Sequence, residues 1–278
     1  MRTLVHLSDL HFGRVDRRLL TPLVESVAAA APDVVVVSGD LTQRARTAQF
    51  IEARDFLARL PQPQVVVPGN HDVPLYTVLD RLARPLAKFR RYIEPSLAPC
   101  HVDDEVAVLG INTARSLVVK NGRVDQQQIV LLRETLCVMR DQLVKVVVTH
   151  HPFDVGERAD PGDVVGRARV AMQVFAQCGV DLLLAGHLHV SHSGDSGERH
   201  ALGGYGALVV SAGTATSTRA RGEANSFNVL RVEKSRIDVL RHEWVESASR
   251  FQCAARRRFV RTGRGWKQAP LPAAHPLP

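Results

Sequence analysis

Cysteine is scarce in this 278-residue chain: four residues, at 100, 137, 178 and 253, with no Cys-x-x-Cys spacing. That excludes a thiolate zinc knuckle and a disulfide-dense scaffold. Three of the four lie in apolar surroundings, so the expectation is buried, free thiols in a reducing cytoplasm. No apolar stretch approaches the roughly 20 residues that span a bilayer. The N-terminus shows no basic segment followed by an apolar one and a small-residue cleavage site, so no secretory signal is expected and a cytoplasmic location is. Acidic charge is in deficit, with 28 Asp and Glu against 36 Lys and Arg, a formal net charge of +8. The deficit is local. Residues 250–267 hold Arg250, Arg256, Arg257, Arg258, Arg261, Arg264 and Lys267 and no acidic residue, and without them the chain is near neutral. Such a segment reads as a solvated strand or tail rather than a nucleic-acid site.

What is present is ordinary for a globular protein that can bury a sizeable core, with 45% apolar and 23% charged residues. Apolar, β-branched runs recur, each followed by a polar loop. They are "DVVVVS" (33–38), "QVVV" (64–67), "VAVLGI" (106–111), "VKVVVT" (144–149) and "VDLLLA" (180–185), after a first run ending in "TLVHLS". Runs apolar on both faces suit strands covered on both sides. Stretches 17–30, 46–60, 125–140 and 167–178 have the length and mixed polarity of covering helices. In the last third, "ALVVSAGTAT", "SFNVLRVE", "SRIDVLRHEWV" and "FQCAARRRFV" read as successive short strands, with "EKSR" and "ESAS" as hairpin connections. The fold class is therefore α/β, two packed sheets with helices outside. Residues 1–267 read as one domain with a β-rich C-terminal third, and 268–278, "QAPLPAAHPLP", as a Pro-rich, disordered tail. Residues 73–100, with prolines at 74, 85, 95 and 99, form a partly helical excursion from the "GNHD" loop, either covering a pocket there or serving as a structural crossover.

The polar residues cluster at strand ends. Asp9 and His11, Asp40, Asn70 and His71, His150, and His187 and His189 each lie just beyond the C-terminal end of a predicted strand. In an open α/β sheet that edge is where ligand sites form. Carboxylates, imidazoles and one neutral amide, with no thiolate, make a hard-to-borderline donor set that suits zinc, manganese, iron or cobalt. Residues one apart on extended backbone can both turn inward, which would explain the D-x-H and H-x-H spacing. About eight ligands are too many for one tetrahedral ion and suit two ions that share a bridging carboxylate. Gly39, Gly69 and Gly186 permit tight turns that keep bulk away from the metals. His6 reads as a hydrogen-bonded core residue. His192 and His200 flank a Gly- and Ser-rich loop and are expected to be exposed. Asn112, after the fourth strand, points to the same edge, where it could touch a ligand or serve a turn.

The series D-x-H (Asp9, His11), G-D (Gly39, Asp40), G-N-H-D (Gly69 to Asp72), T-H-x-P (Thr149 to Pro152) and G-H-x-H (Gly186 to His189) resembles the calcineurin-like metallophosphoesterases. All five blocks stand in the family order over about two-thirds of the chain. The resemblance implies a four-layer αββα sandwich and a binuclear centre of two divalent or mixed-valence transition metal ions. In it, Asp9, His11, Asp40 and His189 would hold one ion, with Asp40 bridging to a second completed by Asn70, His150 and His187. It implies that His71 is a non-ligand catalytic histidine near the leaving group, with Asp72 orienting its neighbourhood. His151 would be a substrate contact or sit behind the ligands, as would Asn112 if it touches phosphate.

The resemblance further implies hydrolysis of a phosphodiester by a metal-bound hydroxide, the substrate being a small molecule such as a cyclic nucleotide or glycerophosphodiester. The compact N-terminal spacing and "GNHD" look like the bacterial cyclic-nucleotide phosphodiesterase branch, which also includes glycerophosphodiesterases. The alternative is hydrolysis of a UDP-sugar or lipid-precursor pyrophosphate, although those relatives typically carry arginine where His71 stands. A nuclease would usually have a longer capping region. A non-catalytic scaffold would have lost ligands, and here every expected ligand is present.

Overall fold

The computed structural model describes residues 1–75, 78–116, 121–155, 160–198, 202–218 and 222–271. The valine runs determine its layers. In β2 (Val34–Ser38), Val34 and Val36 face one core while Val35 and Val37 face another, and all four are fully buried. Side chains alternate across a strand, so a run apolar at every position needs cover on both faces. β1 (Arg2–Leu7) and β3 (Gln64–Val67) pair with β2 in parallel.

A second sheet has the order β4-β5-β6-β7-β9-β8. Its strands are β4 (Cys100–Val102), β5 (Val106–Gly110), β6 (Val144–Val148), β7 (Leu182–Ala185), β8 (His192–Asp195) and β9 (Leu208–Ser211). β10 (Ser226–Glu233), β11 (Arg236–Val245), β12 (Arg250–Thr262) and β13 (Gly265–Ala269) extend the first sheet as antiparallel hairpins, in the order β13-β12-β11-β10-β1-β2-β3.

Between the sheets lies an apolar core of branched side chains from both, among them Leu4, Val36, Val67, Val108, Val146, Leu184 and Leu230. Each fully buried Val or Leu contributes roughly 1.5–3 kcal/mol relative to exposure. α1 (Leu20–Ala29), α2 (Thr47–Leu57) and α4 (Ala87–Tyr92) cover the outer face of the first sheet through Leu23, Val27, Phe50, Phe56 and Phe89. α5 (Gln126–Leu136) and α6 (Ala168–Cys178) cover the second through Ile129, Leu132, Met172 and Phe175. Asp125 caps α5 by accepting from Gln128 N at 2.9 Å, and Gly179 ends α6 in the left-handed region. The result is the expected αββα sandwich.

Several local expectations change. Leu208–Ser211 belongs to the second sheet, parallel to β7, rather than to the run of antiparallel hairpins. The Gly- and Ser-rich stretch after His189 is not all loop, because His192–Asp195 forms β8 on β9. Gln268 and Ala269, in the stretch read as tail, are still paired in β13, and residues 272–278 lie outside the described residues. The 73–100 excursion contains α3 (Val78–Ala83) and α4. α4 is anchored in the core by Phe89, and its Lys88 Nζ donates to Ala45 O at 3.1 Å, whereas α3 leaves Leu79 and Leu82 exposed.

The expectation of four free thiols is overturned. α5 and α6 lie side by side, which brings Cys137 at the end of one and Cys178 at the end of the other to a Cα separation of 4.3 Å, and they form a disulfide. Cys100 and Cys253 are free and exposed rather than buried. The cysteines therefore no longer support a reducing compartment. Among the described residues no helix is long and apolar enough to cross a membrane.

The basic segment forms β12 and β13, and its charge is partly answered from within. Asp238 lies opposite Arg258 and accepts from its Nε at 2.7 Å and its Nη2 at 2.9 Å, and from Arg256 Nη2 at 3.0 Å. Buried Asp181 pairs with Arg261 and Lys234. The Arg258 hydrogen bonds, reinforced by Arg256, push the Asp238 carboxyl down to about 2 from an ordinary value near 3.8. A depressed carboxyl contributes stability above its unfolded pKa and loses it as pH falls through the folded one. Asp238→Asn should therefore cost about 1–2 kcal/mol at neutral pH. In urea titrations the gap to wild type should be full at neutral pH and narrow below about pH 4. A gap that does not change with pH would exclude this ion-pair origin.

Candidate metal centre

Five strand ends converge on one edge, and the backbone there is unusual. Asp9, His11, Asp40, His187 and His189 all have positive φ, between 53° and 71°. The expectation of inward-turning residues on extended backbone is thus corrected: both members of each D-x-H and H-x-H pair are left-handed. Asp and His tolerate this region better than most residues, at a cost of about 1–3 kcal/mol each. The residue between the first pair, Leu10, is buried in the helix-side core and anchors the turn. Thr214 Oγ1 donates to Asp9 O and Thr216 Oγ1 to Leu10 O, both at 2.8 Å, so these buried carbonyls of the turn are satisfied. The loops also touch. A Cβ on Gly69 would strike Asp40, and one on Gly186 would strike Ser8 and Asp9.

Asp9, His11, Asp40 and His189 are all buried, and each brings one ligand atom to within 4.8 Å of the others. Asp9 Oδ1 lies 3.2 Å from His189 Nε2 and 3.5 Å from His11 Nε2, the two imidazole nitrogens are 3.4 Å apart, and Asp40 Oδ2 is 3.7 Å from His11 Nε2. Ser8 Oγ (2.6 Å) and His187 N (3.1 Å) both donate to Asp9 Oδ2, while Oδ1 is buried with no hydrogen-bond partner.

Asp40 turns its other oxygen to a second group. Oδ1 accepts from His71 N at 2.8 Å and lies 3.4 Å from His150 Nε2, which is 3.0 Å from Asn70 Oδ1. His150 Nδ1 donates to Ser38 O at 2.8 Å, which aims Nε2 into the cluster. His150, His151 and His187 also bring ring nitrogens within 4.8 Å of one another. His151 Nδ1 meets Thr113 Oγ1 at 2.8 Å, whereas the Asp40 and Asn70 oxygens face His150.

The electrostatics follow from burial. Desolvation would raise both carboxyls, but His189 and His11 hold Asp9 below the usual carboxylate range, and His150, then His11, hold Asp40 well below it. Burial also works against a charged His150, yet Asp40 outweighs it and lifts the imidazole to about 9. His187 is pushed down to about 4 by burial and by the charge of His150. His6, buried against Ser38 Oγ at 2.8 Å, is lowered to about 3 by desolvation and stays neutral, as a core histidine should.

His71 stands half-buried at the rim, its ring edge-on to His11 with centroids 4.9 Å apart. Nδ1 donates to Gln43 O at 3.0 Å, which directs Nε2 away from the loop. Asp72 is buried. It accepts from Leu41 N, Thr42 N, Thr42 Oγ1 and Gly69 N, locking the two loops that carry Asp40 and Asn70 together. Its carboxylate is occupied in that lock, so its part is to position neighbours. Asn112 braces its own turn, with Oδ1 accepting from Ala114 N at 2.9 Å. His192 is half-buried in β8 rather than exposed, and His200 lies outside the described residues. The supporting roles of Ser8, Gln43, Thr113, Thr214 and Thr216 were not read from the sequence. "SAGTAT" carries the one signal that could have indicated them, a hydroxyl-rich loop following a buried strand.

Residues 2–191 match the family model for the calcineurin-like phosphoesterases. The chain belongs to that family. It is similar to a probable glycerophosphodiester phosphodiesterase GpdQ of Arcobacter nitrofigilis, 25% identical over 162 residues, which are 57% of each protein. It is also similar to a glycerophosphodiester phosphodiesterase GpdQ of Enterobacter lignolyticus, 36% identical over 80 residues, 25% of this chain and 29% of that protein. The matched part thus spans little more than half the length of the first relative. In fold, the chain resembles a dimetal phosphatase from Danio rerio (TM-score 0.65, 16% identity, 88% of this chain and 97% of that one). It likewise resembles a purple acid phosphatase from yellow lupin seeds (TM-score 0.70, 12% identity, 95% and 54%).

The residues of this calcineurin-like phosphoesterase fit metal ions. Tetrahedral ligands at the usual zinc–nitrogen bond length are spaced about 3.3 Å apart; Asp9, His11 and His189 are spaced at 3.2–3.5 Å, with Asp40 3.7 Å from His11. The carboxylate–imidazole donor set suits borderline divalent ions. If Asp40 serves both clusters, Asp40→Ala should weaken metal binding at both, whereas Asn70→Ala should weaken one. Elemental analysis of the purified variants checks this. Two tightly held ions in Asp40→Ala would remove the shared carboxylate.

Proposed function

We propose that this chain is a metal-dependent phosphodiesterase acting on a small phosphodiester at a two-metal centre. The observation that carries the reading is the division of Asp40, with Oδ1 facing His150 and Oδ2 facing His11. Asp9, His11, Asp40 and His189 would hold one ion, and Asp40, Asn70, His150 and His187 the other, with His151 beside them. Bound ions would polarise the phosphoryl oxygens and stabilise the charge that builds on them. The chain's own residues do the rest. Asp72 keeps the Asp40 and Asn70 loops in register. The Gln43 carbonyl accepts a hydrogen bond from His71 Nδ1–H, so the doubly protonated imidazole would offer its Nε2 proton to the departing oxygen.

The relatives named as glycerophosphodiester phosphodiesterases favour a diester over a monoester, and a glycerophosphodiester or cyclic nucleotide is the substrate class we infer. The histidine at position 71, where the lipid-precursor pyrophosphatases typically carry arginine, points the same way. A panel of 2′,3′- and 3′,5′-cyclic nucleotides, glycerophosphodiesters, nucleoside diphosphate sugars, monoesters and single-stranded DNA, each with Mn, Zn, Co and Fe, tests the reading. Turnover confined to monoesters or to DNA would overturn it.

His71 gives a sharper test. A nitrophenolate leaves without help, whereas a ribose or glycerol alkoxide needs a proton, and general acid catalysis is worth about 10²–10⁴ in rate. His71→Ala should therefore lose far more kcat on alkyl diesters than on nitrophenyl diesters, with metal content unchanged. Equal fractional losses on both would leave His71 as a positioning residue.

A further inference from the structure

A pocket of about 100 Å³ opens where β8 meets β11 and β12, lined in part by Ser193, Asn228, Arg241, Ala255 and Arg257. None of its lining residues belongs to the ligand clusters, although Ser191 and His192 follow His189 by two and three positions. Its origin lies in the register. Across the first sheet, His6, Asn228, Arg241 and Ala255 stand opposite one another in a row. One alternate position along, Val239 belongs to the apolar inter-sheet core. The same face therefore passes from valine to arginine and asparagine, while Ala255 and the serines of β8 and β9 are too small to fill the gap.

The wall is cationic and incompletely satisfied. Arg241 gives Nη2 to Glu243 at 2.6 Å and has Nη1 3.7 Å from Glu223, but its Nε is buried with no hydrogen-bond partner. A buried donor without an acceptor is costly, and native structures seldom leave one unanswered. Arg257 donates to Ser193 O at 3.3 Å and Ser193 Oγ at 3.2 Å, and no carboxylate among the described residues neutralises it, in contrast to Arg256 and Arg258 on either side. A water needs roughly 10–15 Å³ of such space, so the pocket has room for a tetrahedral anion with residual water. A cation would face two guanidinium groups, and an apolar group would strand the polar lining.

We propose that this pocket binds a small free oxyanion, inorganic phosphate or sulfate, between Arg257 and the Nε–H of Arg241. The anion ties β8, at the edge of the second sheet, to β11 and β12 of the first, and so acts as a non-covalent clasp on the segment that follows the G-H-x-H loop. It gives Arg257 a purpose distinct from generic polyanion binding.

Thermal unfolding of the purified full chain tests this, with phosphate or sulfate compared against chloride at matched ionic strength. Saturating oxyanion should raise Tm by about 2–5 °C. The rise should persist in Asp40→Asn, whose metal clusters are impaired, and disappear in Arg257→Gln, an exposed substitution, and in Ala255→Leu, which fills the space. Glycerol phosphate, run alongside, should stabilise less than phosphate. Four outcomes would overturn the proposal: no rise beyond chloride, an equal rise in Arg257→Gln, loss of the rise in Asp40→Asn, or a larger rise with the ester.

Discussion

Everything at the strand-end edge depends on keeping the Asp40 carboxylate ionised in a place where water cannot reach it. Burial alone would neutralise it. The chain counters with His150 on one side, His11 on the other, and the His71 N–H at 2.8 Å on the same oxygen that faces His150. Asp9 is treated likewise, with Ser8 and the His187 N–H holding Oδ2 while Oδ1 is left toward the imidazoles. Positive charge is thus demanded at two points, one on each side of Asp40. Protons on histidines can supply it, and so could metal ions.

That demand explains the strained backbone. Five left-handed Asp and His residues would be a poor choice for stability alone. They survive because the surrounding structure over-determines them: Leu10 is fixed in the core, threonine hydroxyls satisfy the turn carbonyls, and Asp72 bolts two of the loops together with four hydrogen bonds. The parallel strands beneath are covered on both faces and provide a stiff base. Stiffness at the base and strain at the tip are parts of one arrangement, in which the carboxylate and imidazole atoms are held in place by the fold itself.

Away from the edge, charge is handled by pairing across strands. The arginines of β12 look like a polyanion surface when counted, yet Asp238 and Asp181 take three of them from the opposite strand or the neighbouring sheet. A charge run in sequence is not a charge patch in space. Arg257 escapes this pairing because the residue opposite it across the sheet is Val239 rather than an acid, and it is this exception that lines a pocket.

The sequence by itself determined whatever depends on near neighbours. Valine at four successive positions requires a strand covered twice, and the polar blocks that follow such runs must emerge at one edge of a parallel sheet, so both the αββα layering and the identity of the clustered histidines and aspartates were legible. The left-handed turns were not, because nothing local separates them from extended backbone; the turn at Asp9 and His11 is held by Thr214 and Thr216, some 205 residues away along the chain. Tertiary structure alone joined Cys137 to Cys178 across 41 residues, drew Asn112 into its own turn, put Leu208–Ser211 in the second sheet and made a strand of His192–Asp195. Each of those outcomes depends on which helix or strand packs alongside. That choice is made by burial of the whole apolar surface at once, and no short window of residues contains it.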